Sequence, residues 1–446
     1  MKTRSANQTR QRGRKLAIFG LVLAVLPGCP SGESVRGVEH PGTATASATA
    51  DGKKNPTCRG GATDAWTLPG FCVAQFASDL ARPRHLVFAP NGDLLVATRR
   101  GVVVLWDADG DGVSDAHERA LLGAPDVSQQ GIALSPDGHW LYLADSRVVR
   151  RIPFHAGLRQ NEGTGEVVIP DVPLTVDHPY RTITFDATGR LYLSVGAEDN
   201  LTPGKGAAVV RYRIPATIPP RGIPYDTGER FAVGLRNGEA LAWDHDGRLW
   251  AFVNGRDFLH PAGTPDAFYL DHPGEWIYRL SERPGTFYGF PDCWALGPTP
   301  WGERRDPASQ WADPDANQGH DDAWCQNPAH VQPAAGALPA HTAPLGAVEY
   351  TGSLFPPKYK SSFFVTSHGS WNRHGAQRGR TLLAVRVEAE RVVDVEVVVG
   401  ERLADRNLGE GKWSERPVGV VQGPDGALYF TSDETGHVMR VGYAHE

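Results

Sequence analysis

The sequence predicts an all-β protein, a six-bladed β-propeller, on three observations. A phrase of apolar residues, a glycine turn and a strand of alternating apolar residues recurs along the chain. The first turn glycines lie 46, 51 and 58 residues apart, which is the length of one propeller blade. The 51 glycines and 35 prolines are spread over all 446 residues, as expected for many short strands joined by turns rather than for long helices.

The recurring phrase predicts the blades in order. In five copies a glycine turn separates two apolar runs, because glycine supplies the positive φ that a tight hairpin needs. These turn glycines are Gly92, Gly138, Gly189, Gly247 and Gly426. A less regular copy at 347–371 brings the number of blades to six, and a long irregular insertion is expected near 258–340. A β-sandwich has similar strand content, but it would not repeat one phrase at blade spacing.

The N-terminal region predicts export. Six basic residues lie within the first 15, and the eleven-residue apolar run Leu16–Leu26 follows, too short for a comfortable permanent span. The run leads into Leu-Pro-Gly-Cys, which resembles the bacterial lipobox and implies lipidation of Cys29; ordinary signal cleavage after Cys29 is the alternative. We therefore expect a signal peptide over 1–28, a flexible tether over 29–57 and the propeller over 58–446, in an exported bacterial lipoprotein anchored at the periplasm or cell surface.

Charge and cysteine content narrow the function. The formal net charge is −6, and the chain beyond the basic N-terminus is more acidic still, so a nucleic-acid partner is disfavoured. Cys58 with Cys72, and Cys293 with Cys325, form two local pairs that most simply indicate two disulfides in an exported protein. The sequence contains no Cys-x-x-Cys-His, which excludes a fused c-type haem. A redox enzyme of this kind would pass its electrons to a separate acceptor.

An acidic stretch at 107–118 matches the spacing of a calcium-binding loop. Carboxylates crowded into one turn repel each other unless a hard cation lies between them, so a structural calcium site is one interpretation. A solvated acidic hairpin is the other. The candidate ligands are Asp107, Asp109, Asp111, Asp115 and Glu118.

Histidine and arginine side chains recur next to the predicted inner strands. His178 directly precedes one such strand, where a histidine can serve as a general base near neutral pH. Arginines at 236, 256, 373 and 416 stand at similar places in other blades. They either point towards the axis and bind a ligand with carboxylates, or pair with local acids and seal the blade edges.

Together these segments resemble the quinoprotein glucose/sorbosone dehydrogenase family. Members are six-bladed propellers that hold pyrroloquinoline quinone (PQQ) and calcium on the axis and oxidise sugars or related alcohols. The matching motifs run in family order over almost the whole exported body. They are Gln129-Gln130-Gly131, His178 with Arg181–Phe185, and the segments 234–237, 254–257, 287–294, 341–346, 368–373 and 416–420.

The resemblance implies a role for each matching residue. His178 would be the general base that takes the hydroxyl proton while hydride passes to the quinone. Gln129 would hydrogen-bond in the sugar pocket, and the backbone carbonyls of Gly255 and Arg256 would ligate the active-site calcium. The residues implied to bind PQQ are Arg236, Asn237, Arg416, Asn254, His368 and Arg373.

Some positions depart from the family pattern. The acid expected directly after Gly196 is displaced to Glu198, Glu239 stands in place of a glutamine, and Gly369 falls near the family's lysine. These changes favour the sorbosone-type branch. We therefore expect oxidation of an aldose, sorbosone-like sugar or polyol, with electrons leaving to an external quinone or cytochrome. The alternatives are a calcium-dependent lactonase-type hydrolase and a catalytically inactive binding propeller.

Overall fold

Strands make up nearly all the regular structure of the chain. The computed structural model describes residues 63, 65–115, 120–122, 130–160, 163, 165–295, 310–370, 373, 377–400 and 413–444, with the backbone alone at 120–122. All of them belong to one compact unit, Lys53–Glu446. Within these residues no helix is long and apolar enough to cross a membrane.

Six sheets of four or five strands, counted over the described residues, form the six predicted blades. In the first three, the order from inside to outside follows the chain. Blade 1 holds β3 (Leu86–Phe88), β4 (Leu94–Thr98), β5 (Gly101–Leu105) and β6 (Ala120–Leu122). Blade 2 holds β7 (Gly131–Leu134), β8 (Trp140–Ala144), β9 (Val149–Pro153) and β10 (Glu166–Ile169). Blade 3 holds β11 (Arg181–Phe185), β12 (Arg190–Val195), β13 (Ala208–Arg213) and β14 (Glu229–Val233), with β18 (Thr286–Phe287) added in parallel at its edge.

The other three blades include strands from distant parts of the chain. Blade 4 holds β15 (Asn237–Trp243), β16 (Leu249–Asn254), β17 (Glu275–Arg279) and β21 (Gly336–Leu338). Blade 5 holds β22 (Pro344–Glu349), β23 (Phe363–Ser367), β24 (Thr381–Glu388) and β25 (Arg391–Gly400), with β1 (Trp66–Thr67) at its edge. Blade 6 holds β26 (Pro417–Gln422), β27 (Leu428–Ser432), β28 (His437–Tyr443) and β2 (Phe71–Ala77). Short 3-10 helices lie at Tyr225–Thr227, Phe268–Leu270 and Pro357–Tyr359.

The innermost strands close into a ring. Each of β3, β7, β11, β15, β22 and β26 contacts the next, and β26 contacts β3. The second strand of the chain, β2, pairs antiparallel with the last, β28, so residues from near both ends of the described chain complete blade 6 together. This pairing covers strand edges that would otherwise be open to association.

The glycine turns behave as the sequence predicts. Gly92, Gly138, Gly189, Gly247 and Gly426 all have positive φ, between 72° and 88°, in the hairpins that join the first two strands of their blades. The core lies between neighbouring blades. For example, Trp250 and Phe252 of blade 4 pack on Phe363 of blade 5, with ring centroids 5.2 and 5.5 Å apart. Each such side chain contributes about 1.5–3 kcal/mol by burial.

The expected insertion near 258–340 is only partly irregular. It contains β17 and β21, which are the two outer strands of blade 4, because the chain leaves this blade after β17 and returns to it at β21. Between them, β19 (Cys293–Ala295) pairs with β20 (Gln310–Ala312), and the one-turn helix α1 (Asp322–Cys325) follows. A disulfide joins Cys293 to Cys325, as predicted, with Cα atoms 5.8 Å apart.

Candidate active site

The residues singled out by sequence gather at one end of the ring, which we call the upper end. The chain enters the inner strand β11 at the upper end, directly after His178. Because neighbouring strands are antiparallel, β16 and β23 finish at this same end, at Asn254 and Ser367. Loops that are far apart in the sequence therefore meet around the axis.

His178 is a buried, neutral base. Its Nδ1 lies 2.7 Å from the carbonyl oxygen of Ala197. A carbonyl only accepts, so Nδ1 carries the proton and the lone pair of the neutral ring is on Nε2. Burial, reinforced by the positive charge of Arg236, lowers the pKa of His178 to about 4. The carbonyl of Ala197 thus orients the imidazole, the role that the resemblance would give to an acid directly after Gly196.

The loop that carries His178 is held from below by Arg181, the first residue of β11. This fully buried guanidinium donates from Nη1 to the carbonyls of His178 at 2.6 Å and Tyr180 at 2.8 Å, and from Nη2 to that of Pro173 at 2.5 Å. The Thr175 hydroxyl also donates to the His178 carbonyl. These contacts hold the backbone of His178 in one position.

Two amide oxygens are buried at the upper end, in the neighbouring strands β15 and β16. Asn237 and Asn254 are paired in the register of β15 and β16. Their Oδ1 atoms accept no hydrogen bond from any described residue, although both are buried. An orphaned buried acceptor costs about 1–3 kcal/mol, so the pair suits a bound donor or cation.

Gly196 permits the close approach of these groups. A Cβ at this position would lie 2.6 Å from Asn237 Oδ1 and 2.6 Å from His178 Cβ. No side chain fits in that space. The absence of one lets the amide and the base approach the same stretch of backbone.

Glu239 determines which way two amides point. Its carboxylate accepts from Asn237 Nδ2 at 2.9 Å and from Gln130 Nε2 at 2.8 Å. A carboxylate acting as acceptor requires each amide to present its NH₂ group, so Asn237 Oδ1 is left for a ligand. Gln130 in turn accepts from Arg84 Nε at 3.0 Å through its own Oε1.

The same interactions continue across the axis to blades 5 and 6. Arg84 Nη1 donates to Asp433 at 2.7 Å, and His368 Nε2 lies 2.9 Å from the other oxygen of that carboxylate. Hydrogen bonding to His368 and the charges of His368 and Arg84 hold the pKa of Asp433 well below its usual range, against the effect of burial. Burial lowers the pKa of His368 to about 4. The axial network is the set Arg84, Gln130, Glu239, Asp433 and His368.

Arg236 and Arg416 supply positive charge at the upper end. Arg236 is buried and donates through Nε and Nη2 to the backbone and side-chain oxygens of Asn200, at 3.2 and 2.9 Å. Among the described residues none accepts from its Nη1, which leaves that edge for an anionic ligand. Arg416 donates to the carbonyls of His368 at 3.2 Å and Gly369 at 3.3 Å. Burial lowers the pKa of both arginines.

Glu275 lies under the turn that follows β16. Its two oxygens accept from the backbone N–H groups of Gly255 at 2.6 Å and Ala343 at 3.1 Å. Burial raises the pKa of this carboxyl to about 7. Glu275 therefore fixes the turn whose carbonyls the resemblance assigns to calcium.

Comparison with known proteins identifies the family. A family model described as TrAA12-like matches residues 66–444. The chain belongs to the TrAA12-like family. The predicted resemblance to quinoprotein sugar dehydrogenases is thereby confirmed at family level.

Three relatives of this TrAA12-like chain each cover more than four fifths of it. A pyrroloquinoline quinone-dependent sugar dehydrogenase of Hypocrea jecorina is 25% identical over 387 residues, covering 81% of this chain and 86% of the relative. The calcium structure of the Trichoderma reesei family AA12 enzyme has a TM-score of 0.74 at 22% identity, covering 85% of this chain and 97% of that one. The PQQ domain of Coprinopsis cinerea pyranose dehydrogenase has a TM-score of 0.71 at 22% identity, covering 86% and 98%. At these identities, the two solved structures show the fold.

Two of the predicted arginines turn away from the axis in the TrAA12-like fold. Arg256 donates to Asp313 at 2.7 Å and to Asp315 at 2.9 Å in the insertion. Arg373 donates to the carbonyl of Leu270 at 3.0 Å. Pairing with local acids is therefore confirmed for Arg256, and ligand binding by Arg236 and Arg416 stays a prediction. The roles predicted for Arg373 and for the backbone of Arg256 stay predictions.

The acidic loop is at the opposite end of blade 1 from the candidate site. Carboxylate oxygens of Asp107, Asp109 and Asp115 lie within 4.8 Å of one another. Asp111 instead accepts from the backbone of Val113 at 2.8 Å. The calcium assignment stays a prediction.

Several predicted residues lie outside the described part of the chain. They are Cys29, Cys58, Glu118 and Gln129. Cys72 is described in β2, but its pairing with Cys58 stays a prediction. The neighbour of Gln129, Gln130, is the glutamine that joins the axial network.

The sequence did not single out Arg84, Asp433 or Asn200. Each follows or precedes a strand at the upper end, as the predicted residues do. That shared position is a signal that could have indicated them.

Proposed function

We propose that the chain oxidises a sugar or polyol, using PQQ bound at the upper end of the ring. The observation that carries this proposal is the neutral His178, whose Nε2 lone pair is available while Nδ1 donates to Ala197. It lies beside the backbone of Gly196, with the orphaned oxygen of Asn237 on the same glycine. The proposed base His178, the acceptor Asn237 Oδ1 and the buried guanidinium of Arg236 thus lie close to one another.

The residues present suit PQQ, a flat tricarboxylate quinone. Arg236 and Arg416 offer guanidinium groups to carboxylate or quinone oxygens, and Asn237 Oδ1 accepts from a donor on the ligand. His368, Asn254 and Arg373 are proposed as further contacts. Bound PQQ would supply a quinone that accepts a hydride from the substrate carbon. The electrons would then leave to an external quinone or cytochrome.

His178 would remove the proton that the substrate hydroxyl must lose. With a pKa of about 4 the imidazole is unprotonated at neutral pH, so it is ready to accept through Nε2. The Ala197 carbonyl stabilises the imidazolium that forms, because it accepts from Nδ1–H more strongly when the ring is charged. Arg181 keeps the loop in place through the transfer.

Calcium is proposed as the partner of the cofactor. The carbonyls of Gly255 and Arg256, with the unsatisfied Oδ1 of Asn254 next to them, are oxygen donors of the kind that calcium prefers. A second calcium is proposed at Asp107, Asp109 and Asp115, with Asp111 and Glu118 completing the loop. Lipid anchoring at Cys29 and a periplasmic or surface location also belong to the proposal, and sorbosone-type sugars are its preferred substrates.

A lactonase-type site is less well supported by the geometry. It would need axial carboxylates that face the cleft and are available to a metal. Glu239 is instead engaged by Asn237 and Gln130, and Asp433 by Arg84 and His368. Both carboxylates serve to hold neighbouring side chains.

Binding and turnover together test this function. The purified chain is titrated with PQQ and calcium by calorimetry, and reduction of an electron-accepting dye is followed with a panel of aldoses, sorbosone and polyols. We expect micromolar or tighter PQQ binding and sugar-dependent dye reduction that His178→Ala abolishes. Absence of PQQ binding in the presence of calcium would contradict the assignment and leave the hydrolase and binding-propeller alternatives.

A further inference from the structure

An exposed aromatic residue lies next to the candidate site. Four large hydrophobic residues are exposed among those described: Val113, Leu174, Val176 and Phe258. Phe258 is the aromatic member, 46% exposed, four residues after Asn254. A single exposed apolar residue is ordinary on a protein surface, but this one belongs to a built cluster.

Phe258, His260 and Tyr269 form that cluster, which we call the aromatic platform. The ring centroids of Phe258 and Tyr269 are 5.8 Å apart, and those of His260 and Tyr269 are 5.2 Å apart. All three belong to the loop between β16 and β17. The ring planes are tilted by 42° and 53°, and with the half-exposed side chain of Phe258 the rings offer a partly apolar surface.

The platform is held in place from two sides. Arg256 Nη2, whose guanidinium is paired with Asp313 and Asp315, donates to the Phe258 carbonyl at 3.0 Å. The Tyr269 carbonyl lies 2.7 Å from His341 Nε2. Phe258 also has a φ of 55°, which is costly for a bulky residue. Strain of this kind persists only where the surroundings enforce it, and it is concentrated at functional sites.

Asp257 connects the platform to the proposed PQQ site. Its Oδ2 lies 3.4 Å from Arg236 Nη2, and its Oδ1 lies 3.8 Å from Nδ1 of His341. The Asp257 backbone N–H donates to Asn200, which also accepts from Arg236. Phe258 therefore directly follows Asp257, whose carboxylate contacts Arg236, a proposed cofactor-binding residue.

We propose that the aromatic platform is a subsite for a second sugar ring, so that the chain accepts, besides free monosaccharides, oligosaccharides whose terminal ring is the sugar that is oxidised. This inference rests on the proposed function. The C–H face of a pyranose packs on an aromatic ring, while Asp257 and His260 offer hydrogen bonds to hydroxyls at its edge. A sugar oxidised at His178 would extend its next residue over Phe258.

The test compares chain lengths. The PQQ- and calcium-loaded chain is assayed with glucose, cellobiose and cellotriose, and with maltose and maltotriose, to obtain kcat/KM for each. We expect kcat/KM for at least one oligosaccharide to exceed kcat/KM for glucose. Phe258→Ala should lower this oligosaccharide-to-glucose ratio about tenfold, which corresponds to the loss of one good ring contact. Phe258→Trp keeps an aromatic ring at this position and should leave the ratio at its wild-type value. Val113→Ala, an exposed apolar residue at the opposite end of blade 1, is the control and should leave the ratio unchanged.

A binding measurement separates this inference from the proposed function. Calorimetric titration of the PQQ-free chain with the same trisaccharides should give millimolar or tighter binding, weakened about tenfold by Phe258→Ala. If no sugar is oxidised but this pattern holds, the proposed function fails and the platform stands. Equal ratios and equal affinities in wild type and Phe258→Ala would overturn the platform. So would an effect of Phe258→Ala confined to the KM of the electron acceptor, which would make this surface a docking site instead.

Discussion

His178 obtains its orientation from backbone rather than from a carboxylate. The Ala197 carbonyl holds Nδ1–H, and Gly196 next to it leaves room for both the imidazole and the Asn237 amide. Glu239 then requires that amide to present its oxygen. Three small features of neighbouring residues thus determine the tautomer and surroundings of the proposed base.

The space at Gly196 gives a sharp test of this arrangement. Gly196→Ala would put a Cβ 2.6 Å from Asn237 Oδ1 and from His178 Cβ, so both side chains must move. We expect kcat to fall at least about tenfold, because small displacements of a catalytic group are costly, with the fold retained by circular dichroism.

Gly238→Ala is the matched control for that substitution. Its Cβ would meet no atom closer than 3.6 Å, the side-chain oxygen of Ser194. Unchanged kcat in Gly196→Ala, or an equal loss in Gly238→Ala, would contradict the proposed crowding at His178.

Glu239 provides a second test at the level of one residue. Glu239→Ala removes the acceptor that fixes Asn237 and Gln130 and leaves Arg84 with one carboxylate partner. We expect PQQ affinity to weaken about tenfold or more, measured by calorimetry, because hydrogen bonds to a charged group are worth about 1.5–3 kcal/mol. Glu166→Ala, which removes a half-exposed partner of Arg151, is the control. Equal PQQ affinity in both variants would show that Glu239 does not position Asn237 for PQQ.

Pairing between strands that are far apart in the sequence closes the ring of blades. β2 contributes the outer strand of blade 6, and Phe71 at its start packs edge-on against Phe355 and Tyr359, with centroids 4.9 and 5.2 Å away. Blade 6 also supplies Arg416 and Asp433 to the upper end. The integrity of this one pairing therefore affects the site as well as the fold.

Truncation tests that dependence. Deletion of residues 1–78 removes β2 and exposes the edge of β28, so we expect loss of soluble, cooperatively unfolding protein. Deletion of 1–57 leaves every described strand and the predicted Cys58–Cys72 pair, and should preserve the melting transition. A stable ring after the longer deletion, seen as an unchanged midpoint in thermal denaturation, would contradict closure through β2.

Local patterns made the blades predictable, and distant contacts made the axial network unpredictable. Each hairpin glycine acts within five residues, so its turn can be recognised from the sequence alone. Arg84 and Asp433, by contrast, are 349 residues apart, and no spacing rule indicates that they meet. Gln130 joins the network through Arg84 and Glu239, whereas Gln129 lies outside the described residues and its place in the sugar pocket stays a prediction. The strand β17 was not predicted because the recurring glycine phrase does not accompany it.

The whole molecule carries several buried groups whose protonation couples to folding. In the protein without cofactor, burial lowers the pKa of His85, His178 and His368 from 6.5 to about 4. Between these pH values the unfolded chain binds up to three protons that the folded chain does not. The stability these histidines contribute is therefore present above pH 6.5 and is lost as the pH falls towards 4.

One carboxyl opposes this trend. Burial raises the pKa of Glu275 from 4.5 to about 7, so the folded chain holds an extra proton between those values. The three histidines outweigh this one carboxyl, so unfolding takes up protons near pH 5 and we expect the free energy of unfolding to fall as the pH is lowered from 7 to 4.5. Urea denaturation at several pH values between 7 and 4.5 measures this. A flat profile, or stability that rises on acidification, would contradict the burial of these histidines.

The most direct test of the central claim is the rate at which bound quinone is reduced. The PQQ-loaded chain is mixed anaerobically with an oxidisable sugar, and absorbance reports reduction of the cofactor in a single turnover. We predict that His178→Gln binds PQQ with unchanged stoichiometry and reduces it about 10²–10⁴ times more slowly, the usual loss on removal of a general base. Equal reduction rates in wild type and His178→Gln would show that His178 is not the base.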